Sequence, residues 1–156
     1  MAPTAPLGAP AGMHASARAI AARLTAAGDT LALCETAAGG LLSAALLAAP
    51  GASSFFVGSV IAYSRTSRRT LLDLTAEDVA GLAPMSEAIA LVFADRVRAR
   101  LGTTWGLAEL GIAGPAPSPY GGPAGEAVLA LSGPVTLARR VQTGRADRDG
   151  NMGRFA

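Results

Sequence analysis

The chain contains no lysine; all 13 of its basic residues are arginine. An arginine stays protonated at any accessible pH, so no side-chain amine is available as a neutral base. Cysteine is nearly absent too, and Cys34 alone permits neither a disulfide framework nor a thiolate metal cluster. It sits in an apolar run, where a buried, inert thiol is expected, consistent with a reducing cytosol. The single histidine, His14, lies at the edge of the N-terminal segment, which leaves little room for histidine catalysis or zinc binding. No metal or cofactor is expected. Aromatic residues are scarce at 4% while hydrophobic residues reach 51%, so the core must be built from alanine, leucine and valine. The longest apolar run, Leu41 to Ala49, is too short to cross a bilayer, and no membrane partner is expected.

A length of 156 residues suits one domain with one sizeable core. Residues 1–13 are rich in alanine, proline and glycine, uncharged, and lack the basic and apolar regions of a signal peptide. They read as a disordered tail ahead of a folded domain over 14–156. The net charge is +2, and the arginines are scattered without interleaved aromatics, so a nucleic-acid groove is not expected. A small anion held by two or three arginines fits better. A cytoplasmic location is expected, and a homo-oligomer stays open.

Hydrophobic periodicity predicts a helix over His14 to Ala27, a buried strand over Thr30 to Cys34 and a helix over Gly39 to Ala49. A strand follows at Val57 to Tyr63, then short helices at Arg65 to Leu74 and Ala76 to Leu82. Ser86 caps the longest amphipathic helix, which runs to Leu101. Thr104 to Leu110 is a third strand, and Val128 to Leu131 with Val135 to Thr143 form a hairpin. A last helix starts near Asp147; at about two turns it is expected to dock weakly on its own. The order implies an α/β fold, a three-layer α/β/α sandwich around a mixed sheet.

Five segments could carry chemistry. Glu35-Thr36-Ala37-Ala38-Gly39-Gly40 follows a strand and opens a helix, as an anion cradle or as a plain tight turn. Ser53 lies in Pro50-Gly51-Ala52-Ser53-Ser54, where serines more often cap turns than attack substrates. Tyr63 and Arg68 leave a strand end together, where a cation beside a phenol can favour the phenolate; alternatively the arginines are solvated charges. Gly111-Ile112-Ala113-Gly114-Pro115 and Tyr120-Gly121-Gly122-Pro123 flank a long loop suited to lining a ligand. Asp147-Arg148 opens the last helix as a phosphate clamp or a capping network.

In this order the segments resemble the C-terminal domain of the CinA (competence/damage-inducible) family, whose stand-alone members include nicotinamide-nucleotide amidases. The motifs carrying the resemblance are Glu35 to Gly40, Pro50 to Gly58, Tyr63 to Arg68, Met85-Ser86-Glu87, Leu110 to Pro115, Pro123 to Gly125 and Ala146 to Arg148. The resemblance implies an α/β/α fold and metal-free hydrolysis of the carboxamide of nicotinamide mononucleotide, giving nicotinate mononucleotide and ammonia. It implies Ser53 as nucleophile with Tyr63 and Arg68 as its activating partners. Glu35, Thr36, Gly39, Gly40, Gly111, Ala113, Gly114 and Arg148 are implied to hold the pyridine mononucleotide. Two positions depart from the family pattern: its lysine falls on Arg68, and its hydroxyl residue on Leu110. The Glu-Thr-Ala-Ala-Gly-Gly and Asn-Met-x-x-Phe-Ala variants are similar to those of a divergent subgroup that carries arginine at the lysine position. The alternative function is a nucleotide-binding module without catalysis.

Overall fold

A five-residue strand, β1 (Leu31–Glu35), is buried along its whole length, and the rest of the chain is layered on it. The computed structural model describes residues 11–156. β1 pairs in parallel with β2 (Phe56–Ile61) on one side and with β3 (Trp105–Gly111) on the other. β3 pairs antiparallel with β4 (Glu126–Ser132), and β4 with β5 (Leu137–Gln142), giving the sheet order β2-β1-β3-β4-β5. The sheet is mixed, as expected.

The period of two along β1 assigns its side chains to two cores. Ala32 and Cys34 face α3 (Arg65–Leu72) and α4 (Glu87–Leu101), packing with Leu72, Phe93 and Val97. Leu31 and Leu33 face α1 (Ala11–Ala27) and α2 (Leu41–Leu47), packing with Ala17, Leu46 and Phe55. Burial on both faces explains the unbroken apolar run of the strand. Because these cores contain many alanines, the layers approach closely. A Cβ on Gly106 would collide with the Ala94 carbonyl and come within 2.7 Å of the Arg98 Cβ.

Several boundaries differ from the sequence expectation, each for a local reason. α1 starts at Ala11, so residues 11–13 are helical and Met13 packs on the core; the remainder of the predicted tail lies outside the described residues. α3 ends at Leu72 because Asp73 turns left-handed at φ 53°. The helix expected over Ala76 to Leu82 is only a 3₁₀ turn, Glu77–Val79. Thr75 and Asp78 exchange hydrogen bonds around its start, and Ala80 is extended. β5 begins two residues later than expected, after Pro134, which has no amide proton to give a ladder.

The last helix, α5 (Arg148–Phe155), is short but firmly seated, contrary to expectation. Asp147 caps it by accepting from the Gly150 amide at 2.9 Å. Phe155 and Asn151 are fully buried, and the Asn151 amide donates to the Ala113 and Arg145 carbonyls at 2.9 Å each. One buried amide bonding two separate loops supplies what helix length does not.

Gly106→Ala is expected to destabilise the domain by about 1–3 kcal/mol in urea denaturation, because α4 must retreat from β3. An unchanged midpoint would show that the two layers have slack.

Candidate functional site

The carboxyl ends of β1, β2 and β3 open into one cleft of about 870 Å³. β1 lies between strands reached by connections running in opposite directions, which is where open α/β sheets leave a crevice. Thr36 and Ala37 follow β1, Tyr63, Arg65 and Arg68 follow β2, and Gly111 to Gly114 follow β3. Leu110, Phe93, Ile89 and Met85 give the cleft an apolar lining, and Arg148 and Tyr120 line it as well.

The turn after β1 is fixed by two buried carboxylates. Glu35 accepts from the Gly40 amide at 2.9 Å, the Leu42 amide at 3.2 Å and the Ser43 amide at 2.9 Å, and also from the Ser43 hydroxyl. It therefore caps α2 from within the chain, satisfying donors that would otherwise be orphaned at a helix start. Gly40, the residue at the cap, sits at φ 98°, a left-handed conformation that glycine adopts without strain. Glu35, Gly39 and Gly40 do not line the cleft. Where they were expected to hold a ligand, the structure has them building the turn beside the cleft.

Glu109 is the second carboxylate, and the sequence reading passed over it. It accepts from the Thr36 and Ala38 amides at 2.9 Å each and is wholly buried. Its other oxygen has no partner. Gly111 must be glycine because a Cβ there would collide with Glu109 and come within 2.7 Å of Phe155 and 2.8 Å of Ala37. The available signal was an acid inside the apolar strand Trp105 to Leu110, where a charge needs a buried partner.

Ser53 is not in the cleft. It is exposed in the 3₁₀ turn Ala52–Ser54, which precedes β2, whereas Tyr63 and Arg68 follow that strand. The two ends of β2 are separated by its six residues, roughly 20 Å at ordinary strand rise. The expected nucleophile thus stands at the opposite end of β2 from its expected partners. Thr36, Thr66, Thr75 and Ser118 are the serine and threonine hydroxyl residues that line the cleft, and Thr36, at the end of β1, has its Oγ1 accepting from the Gly111 amide at 3.1 Å.

The remaining expected residues do converge. Arg148 donates to the Gly114 carbonyl at 2.7 Å and to the Tyr63 hydroxyl at 3.3 Å, joining α5 to the end of β2. Arg68 donates from Nε to the Ala62 carbonyl at 3.1 Å and from Nη2 to the Tyr63 carbonyl at 3.4 Å. Its guanidinium lies 5.3 Å from the centroid of the Phe93 ring, and burial lowers its pKa from the usual arginine value. Arg65 lies 5.0 Å from the Tyr120 ring centroid. No aspartate, glutamate or histidine lines the cleft, and among the described residues Arg65, Arg68, Arg69 and Arg148 make no salt bridge. Nor does any group of three or more acidic, histidine or cysteine side chains among them form a metal cage. Cys34, beneath the cleft, is pushed up to about 12, chiefly by burial, so its thiol is inert.

Burial raises the Glu109 carboxyl from 4.5 to about 7, although the Ala38 and Thr36 amides pull it down. The folded value lies above the unfolded one. The associated stability is therefore complete below pH 4.5 and is lost as pH rises through about 7. Between about pH 5 and about pH 8, urea denaturation should show Glu109→Gln gaining on the native chain by up to ~3 kcal/mol. Parallel pH profiles for the two proteins would contradict this.

The CinA C-terminal domain family matches residues 13–156. A CinA-like protein of Parasynechococcus marenigrum (strain WH8102) is 42% identical over 118 residues, covering 76% of this chain and 28% of the relative. The chain thus spans little more than a quarter of the length of the curated relatives it matches. Among solved structures, the competence damage-inducible protein A of Klebsiella pneumoniae subsp. pneumoniae MGH 78578 superposes with a TM-score of 0.82 at 28% identity, over 91% of this chain and 88% of that one. A competence/damage inducible protein from Agrobacterium tumefaciens gives a TM-score of 0.83 at 25% identity, over 93% and 89%. With the motifs in register and the sandwich shared, the chain belongs to the CinA family, as a CinA C-terminal domain.

Proposed function

We propose that the cleft is a pyridine-mononucleotide site of the nicotinamide-nucleotide amidohydrolase type, in which binding is retained and hydrolysis is slow. The observation that carries this is the charge of the cleft: four arginines and no acid around an apolar wall. Such a lining suits a flat ring against Leu110 and Phe93 and a phosphate among guanidinium groups. Arg148, tied to both Gly114 and Tyr63, is the natural phosphate holder.

The chemistry is weaker than the binding. Hydrolysis of a carboxamide by a hydroxyl nucleophile requires a group that takes its proton as the C–O bond forms and delivers one to the departing ammonia. Thr36 supplies the hydroxyl in the cleft. No lysine or histidine lines the cleft, the neighbouring Glu109 carboxylate is engaged beneath the turn by the Thr36 and Ala38 amides, and Arg68 cannot give up its proton. Leu110, where the family pattern has a hydroxyl, presents a hydrocarbon surface and no donor. A general base contributes on the order of 10²–10⁴ in rate, which sets the scale of the deficit. A site of this kind would act in pyridine nucleotide salvage, in the cytoplasm.

Ammonia release from nicotinamide mononucleotide tests the reading. Arg68→Lys with Leu110→Thr should raise the rate at least about tenfold, by restoring a base and a donor. Thr36→Val should abolish the gain, and Ser53→Ala should leave it unchanged. Loss of activity in Ser53→Ala with full activity in Thr36→Val would overturn the placement of the nucleophile.

A further inference from the structure

Arg68 is half-buried, yet its partners are two backbone carbonyls and an aromatic face. Among the described residues no carboxylate pairs with it, and none lines the cleft into which it faces. Two carbonyls and Phe93 fix the plane of the guanidinium, and Nη1 makes no hydrogen bond to the protein. A desolvated cation without a counter-charge is costly, and the usual remedy is an anion that lies in its plane.

Ring substituents differ in what they offer this group. A carboxylate presents acceptors alone, and its hydrogen bonds to a guanidinium are charge-assisted and about twice as strong as neutral ones. A carboxamide presents one acceptor and one NH₂ donor, and the donor must find an acceptor elsewhere. The neighbouring surfaces are Leu110 and Phe93, which accept nothing, and Thr36, whose oxygen receives the Gly111 amide and keeps a single lone pair, a neutral acceptor that offers the NH₂ no charge-assisted bond. Turned toward Arg68, the NH₂ would set donor against donor.

We propose that the cleft discriminates in favour of the acid: it binds a pyridine-3-carboxylate mononucleotide more tightly than the corresponding carboxamide, with Arg68 holding the ring carboxylate. This rests on the reading of the cleft as a pyridine-mononucleotide site and adds the charge state that the site selects. A lysine at the same position can be neutral while an amide is bound, and an arginine cannot. The exchange of lysine for arginine thereby moves the site from turnover of the amide toward retention of the acid.

Isothermal titration of the full chain with nicotinate mononucleotide and with nicotinamide mononucleotide, at one pH near neutrality and low salt, tests the proposal. The acid should bind at least about tenfold more tightly. In Arg68→Gln, shown to be folded by its thermal melt, the two affinities should converge; in Arg68→Lys the acid should keep part of its advantage. If the native chain binds both equally, or the ratio survives in Arg68→Gln, the discrimination is not made by Arg68 and this proposal fails while the mononucleotide site stands. If neither nucleotide binds the folded native chain, both readings fall. Should Arg68→Gln not fold, the ratio in the native chain and its reduction in Arg68→Lys still decide the outcome.

Discussion

Two buried carboxylates hold the turn between β1 and α2, and the cleft depends on them. Glu35 reaches forward to cap α2, and Glu109 reaches across from β3 to take the Thr36 and Ala38 amides. Backbone amides in a turn of this kind form a nest that would ordinarily attract a soluble anion. Here the protein supplies its own acids, so the nest is closed and the bound anion must be held elsewhere. The consequence is a division of labour: acids lie within and beneath the turn, while guanidinium groups line the cleft.

That division explains why the site is electropositive although the chain carries a net charge of only +2. Three of the nine arginines outside the cleft are matched, Arg96 with Asp78, Arg98 with Asp95 and Arg140 with Glu126. Those of the cleft are left without acids. An electropositive crevice with an apolar wall concentrates anionic ligands and orients them, but it does not move protons. The absence of lysine from the whole chain makes this permanent, since no neighbouring amine can substitute for the one displaced by Arg68.

Much of the fold was legible because its signals are local. The five strands and the five α-helices followed from apolar runs, Ser86 as a cap, and the Pro-Gly and Gly-Asp breaks. The short helix over Ala76 to Leu82 was not, because Asp78 bonds back to Thr75 and the chain extends at Ala80. The seating of α5 was missed for a different reason: Asn151 docks through the carbonyls of Arg145, in the loop just before the helix, and of Ala113, distant in sequence, a contact no periodicity reports. The site was legible as a set of segments and not as a geometry. Tyr63, Arg68, Gly111, Ala113, Gly114, Thr36 and Arg148 do meet at one cleft. Ser53 is only ten residues from Tyr63 in sequence, but those residues include a complete strand, so the two lie at opposite ends of β2. Glu109 stood out only as an acid within an apolar strand, and its role is set by amide partners more than seventy residues away.

The central claim is that the arginine cleft at the carboxyl ends of β1, β2 and β3 is where an anionic nucleotide sits. A crystal structure of the chain with nicotinate mononucleotide tests it most directly. The account predicts the ring against Leu110 and Phe93, the carboxylate in the plane of the Arg68 guanidinium, and the phosphate at Arg148. A nucleotide found beside Ser53 at the amino-terminal end of β2, with the arginine cleft holding solvent, would contradict it.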